Sequence, residues 1–243
     1  MKIGVVIPVY NERATLTEIV ARVERAGPPL LPSGEACPRV IVLVDDASSD
    51  GSADIVRELA GREGVAAAFH ERNRGKGAAI RFGLARAAEL GCDVVLIQDA
   101  DLEYDPADHA ALLRPILDGR ADAVIGSRFL GQTHRVLYFW HSVANRGLTL
   151  LSNMLTNLNL TDVECCLKAF RADLSLRLTE DRFGIEPELI AKLARARRPD
   201  GTRARIYEVP VSYSGRTYAE GKKITWRDGV SAVRAILKHA LIR

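Results

Sequence analysis

Asp99, Asp101, Glu103 and Asp105 stand at alternate positions in VLIQDADLEYDP, Val95–Pro106, directly after an apolar run. Carboxylates this close repel one another, so each needs a cation or a local hydrogen-bonding task. Extended residues at i and i+2 point to the same side, so Asp99 and Asp101 can converge on one hard cation, with Glu103 as a third ligand. Mg2+ and Mn2+ take oxygen ligands and commonly keep waters or substrate phosphates. A diphosphate would complete such a shell. Asp105, immediately before Pro106, is more simply the cap of a following helix.

Four further polar clusters accompany this one: PVYNE (Pro8–Glu12), DDASSDG (Asp45–Gly51), NRGKGAA (Asn73–Ala79) and GSRF (Gly126–Phe129). Each follows an apolar segment that reads as a buried strand: residues 2–9, 40–44, 65–69 and 122–127, with 92–98 leading to the carboxylates. Helical stripes lie between them, namely Leu16/Ile19/Val20/Val23, Ile55/Val56/Leu59, Ile80/Leu84/Ala87/Ala88 and Leu112/Leu113/Ile116/Leu117. Apolar strands alternating with helices predict a mostly parallel α/β sheet covered on both faces. Ligands of such sheets bind beyond the carboxyl ends of the strands, where all five clusters fall. Any one of them could be turn and cap chemistry; the whole set on one edge points to a ligand site.

Beyond residue 128 the pattern changes. Residues 136–160 have helical periodicity with a break expected near Asn145–Gly147. Ile185/Leu189/Ile190/Leu193 predict another helix, Arg203–Tyr213 a strand, and Trp226/Val230/Val233/Leu237/Leu241 a final amphipathic helix. Gly27–Pro38 reads as a loop. One domain over residues 1–243 is expected, with a nucleotide-binding half (1–128) and an acceptor half (129–243).

The 243 residues carry a net charge of +3. That total conceals an asymmetry: residues 1–120 hold 14 Lys+Arg and 19 Asp+Glu, and residues 121–243 hold 20 and 12. The second half should face an anion, although solvated helix faces account for part of the excess. Four cysteines without CxxC spacing fit a reduced, cytoplasmic protein without structural zinc. No signal peptide is evident, and no apolar run reaches the ~18 residues of a membrane helix.

PVYNE, DDASSDG, NRGKGAA, DADLE and GSRF, in this order, resemble glycosyltransferase family 2 and its GT-A fold. The similarity extends through NRGLTLLSNML and TDVECCLKAFR toward dolichyl-phosphate mannosyltransferases and bacterial polyprenyl-phosphate sugar transferases. The resemblance implies that Pro8, Val9, Tyr10, Glu12, Asp45, Asp46, Lys76, Ala100 and Lys222 hold the nucleotide. It implies Asp99, Asp101 and Glu103 for Mg2+ or Mn2+, and Arg128, Arg146, Lys168 and Glu164 for the acceptor. Asp99, Asp101, Arg128, Arg146 and Arg216 would form the catalytic set, Arg216 and Lys222 closing a loop over the diphosphate. For Lys76 a solvated turn lysine remains the plain alternative.

Two departures from the family pattern bear on this. Glu103 stands where Gln is more usual, adding a charge near the cation. ECCLKAFR (Glu164–Arg171) replaces the usual SGFRAFR, so Lys168 stands in for a phosphate-forking arginine and Glu164 is an extra carboxylate. The expected reaction is inverting, metal-dependent transfer from a GDP-mannose- or UDP-glucose-type donor to a polyprenyl phosphate. The anionic acceptor needs no general base. A soluble hydroxyl acceptor would need one, and Asp162 or Glu164 are the candidates. A sugar-phosphate nucleotidyltransferase is disfavoured, since PVYNERATL has no glycine-rich triphosphate loop. A non-catalytic binding module is disfavoured by the Asp99/Asp101 pair.

A polyprenyl acceptor lives in a bilayer. Leu137, Tyr138, Phe139 and Trp140, with the basic C-terminal helix, could meet a membrane surface, or could be core. A membrane partner subunit or homo-oligomer is the other expectation; no feature points to nucleic acid.

Overall fold

The computed structural model describes residues 1–131, 135–136, 138–217 and 226–241. Leu137 and Lys222 therefore lie outside the described residues, as do the side chains of Trp226 and Arg227. The strands are β1 (Ile3–Val9), β2 (Arg39–Asp45), β3 (Val65–Phe69), β4 (Val94–Ile97), β5 (Ala123–Ser127), β6 (Lys168–Arg171) and β7 (Ile206–Pro210). The helices are α1 (Leu16–Arg25), α2 (Ser52–Leu59), α3 (Lys76–Glu89), α4 (His109–Leu117), α5 (Phe139–Thr156), α6 (Ile185–Arg195) and α7 (Trp226–Leu241).

Among the described residues the strands form one sheet in the order β3-β2-β1-β4-β6-β5-β7. β1 is central: it pairs in parallel with β2 from Ile3↔Arg39 to Val9↔Asp45 and with β4 from Ile3↔Val94 to Val6↔Ile97. β1 and β2 are almost fully buried, as the continuous valine and isoleucine runs require of strands covered on both faces. α3 approaches very closely: a Cβ on Gly83 would lie 2.3 Å from Val6 Cγ1, so only glycine fits there.

β6 has no counterpart in the periodicity reading. It runs antiparallel between β4 and β5, with Ile97↔Lys168 and Ile125↔Lys168 in register. KAFR is too short to show a period of its own. Its direction matters: an antiparallel strand begins at the edge where its parallel neighbours end. Residues 164–168 are thereby delivered to the same edge as the ends of β1, β2, β4 and β5.

The break expected near Asn145–Gly147 does not occur; α5 is continuous from Phe139 to Thr156. Of the residues that suggested a break, Asn145 instead shares the inward face with Thr149 and Ser152, while Arg146 and Gly147 are exposed. α7 likewise turns Ala232, Ala235, Ile236 and Ala240 inward and leaves Val230, Val233, Leu237 and Leu241 exposed.

Candidate active site

β4 stops at Ile97, and Leu102 has φ 64°, so residues 99–103 form a turn rather than an extended run. The same-side rule for i and i+2 therefore does not apply, and the three carboxylates part. Asp99 receives Lys76 Nζ on both oxygens, at 2.8 and 2.9 Å. Asp101 Oδ2 accepts from Arg216 Nη2 at 3.1 Å, and its Oδ1 caps the Glu103 amide at 3.1 Å. Glu103 clasps the following segment: it accepts from Tyr213 Oη at 2.8 Å and from the Arg216 amide at 2.9 Å. Arg216 also lies 3.6 Å from Glu12 Oε2 and 3.5 Å from Glu103 Oε1. A guanidinium thus stands amid three carboxylates.

The charge balance remains negative around Asp101. Burial, then Asp99 and Glu103, push its carboxyl up to about 7, with Arg216 pulling the other way. A carboxylate so disfavoured suits a site completed by a cation. Among the described residues no three His, Cys, Asp or Glu converge as an all-protein metal cage. Hard cations in diphosphate sites often take only one or two carboxylates and draw the remainder from phosphate and water. The donor set at Asp101, with Asp99 beside it, fits that arrangement.

Lys76 opens α3 and is no solvated turn lysine. Its side chain is 15% exposed and lies 3.2 Å from Glu186 Oε1 and 3.1 Å from Cys166 Sγ besides its Asp99 contacts. Burial would lower its pKa, but Asp99, Cys166 and Glu186 outweigh this and hold it well above the usual lysine range. Lys168, expected at the acceptor, is fully buried. It donates to Glu186 Oε2 at 2.5 Å and to the Cys165 carbonyl. Its charge is consumed by Glu186, so Asp99, Lys76, Glu186 and Lys168 form a chain of alternating charge. Glu186, at 3% exposure, had no signal beyond an ordinary helix position.

Asp45, at the end of β2, is buried; its Oδ2 accepts from the Ser48 amide at 3.1 Å while Oδ1 has no hydrogen bond. A buried, unsatisfied carboxylate oxygen is costly and marks a place for a donor. Asp46 is committed elsewhere: it pairs with His70 Nδ1 at 2.6 Å and accepts from the Arg74 and Gly75 amides at 2.9 and 2.7 Å. It anchors the loop before Lys76. Val9 and Ala100 are core residues; Pro8 is partly buried, and Tyr10 is 43% exposed at the edge.

Arg128 follows β5 and forks onto Asp162, Nε to Oδ2 at 2.7 Å and Nη2 to Oδ1 at 2.8 Å. Asn145 of α5 bonds both partners, at 3.2 Å each, and Arg128 stacks 5.1 Å over Tyr213. Burial would raise Asp162, but Arg128 outweighs it and holds the carboxyl below its usual range. Both Asp162 oxygens are occupied by Arg128, with Asn145 on Oδ1, so the carboxylate holds Arg128 in place. Glu164 differs: burial and Glu186 push it up to about 7, and its Oε1 is buried without a hydrogen bond. Arg146 is exposed on α5, away from the inward face that carries Asn145. The structure thus brings Asp45, Lys76, Asp99, Asp101, Arg128, Glu164 and Arg216 to one edge, and sets Arg146 apart.

The sequence profile of glycosyl transferase family 2 matches residues 4–178. The chain belongs to glycosyltransferase family 2. Among relatives of this family 2 chain, the undecaprenyl-phosphate 4-deoxy-4-formamido-L-arabinose transferase of Edwardsiella ictaluri is 32% identical over 224 residues, 90% of the chain and 62% of that protein. The Aeromonas hydrophila counterpart is 29% identical, with the same coverage. The chain thus spans about three fifths of the length of these relatives. The UDP-N-acetylglucosamine–dolichyl-phosphate N-acetylglucosaminyltransferase of Methanococcus voltae is 28% identical, covering 91% of the chain and 90% of that protein. Glucosyl-3-phosphoglycerate synthase of Mycobacterium tuberculosis, solved with Mn2+, UDP and glucosyl-3-phosphoglycerate, superposes with a TM-score of 0.71 at 19% identity, over all of this chain and 81% of that one. The family 2 chain has the GT-A fold.

Proposed function

We propose that the chain transfers a sugar from a nucleoside diphosphate sugar to a polyprenyl phosphate, with inversion and with Mg2+ or Mn2+. The observation that carries the reading is the Asp101 carboxyl: half-buried beside Asp99 and Glu103 at the carboxyl edge of β4, bonded by the Arg216 guanidinium, and pushed up to about 7. Cationic and anionic groups are there held ready for a diphosphate and its counter-ion. The acceptor class is supported by the relatives, an undecaprenyl-phosphate and a dolichyl-phosphate sugar transferase.

Asp45 Oδ1 accepts an N–H of the base. Asp101, with Asp99, would hold the cation, which supplies charge neutralisation for the leaving diphosphate. Arg216 moves from Asp101 to the diphosphate as donor enters, and Lys76 keeps Asp99 oriented. Arg128, fixed by Asp162 and Asn145, faces the incoming phosphate monoester. An oxygen of that phosphate bonds to the anomeric carbon from the face opposite the diphosphate. The bond from that carbon to the diphosphate oxygen breaks with its electron pair. No proton has to move, because the nucleophile is already an anion. The groups contribute by position and charge.

A second reading has one observation in its favour. Glu164, with a carboxyl pushed up to about 7 and an unbonded buried oxygen, has the properties of a general base for a hydroxyl acceptor. Incubating purified chain and Mn2+ with a panel of nucleoside diphosphate sugars, and with a short-chain polyprenyl phosphate or the corresponding alcohol, tests both. A glycosyl phospholipid product supports the first reading; turnover only with the alcohol replaces it with the second.

A further inference from the structure

Lys76 has two carboxylates beside it and makes unequal use of them. Its Nζ lies 2.8 and 2.9 Å from the two oxygens of Asp99. Glu186 Oε1 stands at 3.2 Å, an ion-pair distance without hydrogen-bond alignment, and that buried oxygen has no hydrogen bond among the described residues. The other oxygen of Glu186 accepts from Lys168 at 2.5 Å. Neutralising Lys168 occupies one oxygen only. It leaves unexplained why the second is kept buried and unbonded next to Lys76, an arrangement that costs free energy until a donor arrives.

Backbone contacts hold the two residues at this spacing. Lys76 stands between two glycines: a Cβ on Gly75 would fall 2.4 Å from the Asp181 carbonyl oxygen, and one on Gly77 2.3 Å from that of Glu180. The Ala78 amide donates to the Asp181 carbonyl at 3.0 Å. The turn that carries Lys76 thus presses on the segment leading into α6, whose first turn carries Glu186. Meanwhile Asp99 cannot give the same two oxygens to Lys76 and to a divalent cation, and an ammonium left without another anion would repel that cation.

We infer that Glu186 is a positioning residue for cation binding: as Asp99 turns one oxygen to a divalent cation, the freed Lys76 N–H passes to Glu186 Oε1. This rests on the proposed metal-dependent reading and deepens it. The ammonium has three donors on one nitrogen, so Lys76 keeps the other Asp99 oxygen and the carboxylate stays oriented. Closing 3.2 Å to an ordinary hydrogen bond of ~2.9 Å needs only a small movement. The chain of alternating charge from Lys168 through Glu186 and Lys76 to Asp99 then has a task at each link: Lys168 fixes Glu186, and Glu186 takes up the charge that Asp99 releases.

Mn2+ binding reads this without turnover. Affinity is measured from the electron paramagnetic resonance signal of free Mn2+, with UDP or GDP present. Glu186→Gln alone would strand the Lys168 charge in the core, so it is combined with Lys168→Met, which leaves the net charge of the group unchanged. The combined variant should bind Mn2+ ~10–100-fold more weakly, the range for losing a partner behind a metal ligand. In a Lys76→Met background the same two substitutions should cost less than about threefold, because no ammonium then needs a second anion. A purely structural role for Glu186 predicts the same loss in both backgrounds. If the combined variant does not melt cooperatively, Glu186→Asp, which keeps a carboxylate for Lys168 and shortens its reach to Lys76, enters the same comparison. Wild-type affinity in the variant overturns the inference, as does a loss that persists with Lys76→Met. A wild type that binds no Mn2+ beside UDP or GDP overturns it together with the metal-dependent reading. The expected pattern in a chain that transfers no sugar upholds the exchange and removes the reaction.

Discussion

Arg216 reaches Asp101 with an Nη2–Oδ2 distance of 3.1 Å while its own amide bonds Glu103 Oε1 at 2.9 Å. One residue is thus held by backbone and side chain to two members of the carboxylate turn. Its guanidinium balances charge at Asp101, and in the proposed reaction it exchanges that partner for a diphosphate. Arg216→Ala should leave Asp101 short of positive charge and the leaving group without its guanidinium. Loss of one such donor is worth ~10²–10³ in kcat. Steady-state transfer assays with saturating donor and Mn2+ check this; a rate within a factor of a few of wild type would remove Arg216 from the reaction.

Asp101→Asn takes one charge out of a crowded cluster, so thermal melting without metal should hold or rise. Mn2+-dependent protection of the protein by nucleoside diphosphate should disappear with it. Melting curves with and without Mn2+ and UDP or GDP separate the two effects. A variant that retains the full metal-dependent shift places the cation elsewhere.

Asp45 ends β2 with one buried oxygen unbonded. Asp45→Ala removes both that acceptor and the bond to the Ser48 amide. Nucleotide affinity measured by calorimetry should fall by ~1–3 kcal/mol, the scale of a hydrogen bond to a charged group. Equal affinities for UDP and GDP before and after substitution would exclude a base contact.

Glu164 separates the acceptor readings and carries a pH signature. Its folded carboxyl titrates at about 7 against an ordinary 4.5. Between those values the folded state holds more proton than the unfolded one, so stability falls as pH rises through the window. Glu164→Gln should accordingly be more stable than wild type at pH 8, by ~1–3 kcal/mol, and nearly equal at pH 5. Urea unfolding at both pH values measures this. With a phosphate acceptor the variant should transfer at close to the wild-type rate; with a hydroxyl acceptor it should lose ~10²–10⁴-fold.

His109 opens α4, buried, with Nε2 2.8 Å from Gln98 Oε1. Gln98 in turn bonds the Asp99 carbonyl at 3.0 Å, so the pair props the carboxylate turn from beneath. Burial pushes His109 down to about 3. Below the ordinary histidine value of ~6.5 the unfolded chain binds the extra proton and the folded chain does not. Stability therefore falls with falling pH through that window, by up to ~1.4 kcal/mol per unit. His109→Gln should show a shallower loss between pH 7 and 5 in chemical unfolding; an unchanged slope would mean that other groups set the acid sensitivity.

The sequence determined the parallel part of the sheet, β1 to β4, nearly outright. Strands such as IGVVIPV must be buried on both faces, and a parallel sheet places their polar ends on one edge, so PVYNE, DDASSDG and DADLE could be assigned to a site from order alone. β6 could not be foreseen, because four residues with no period of their own become a strand only between β4 and β5. Its reversed direction is what carries Glu164, Cys166 and Lys168 to the same edge. The turn at Leu102 likewise lies beyond any alternation rule: it sends Asp99 to Lys76, Asp101 to Arg216 and Glu103 to Tyr213. Lys168 and Arg146, both expected beside one phosphate, end at opposite depths, Lys168 fully buried and Arg146 exposed. A charge count gives the number of cations, while depth and partner decide which one is spent on Glu186 and which one faces outward on α5. Apolar residues on α5 gave a helix by their spacing; only packing decided that the polar stripe faces the protein and the apolar stripe faces out.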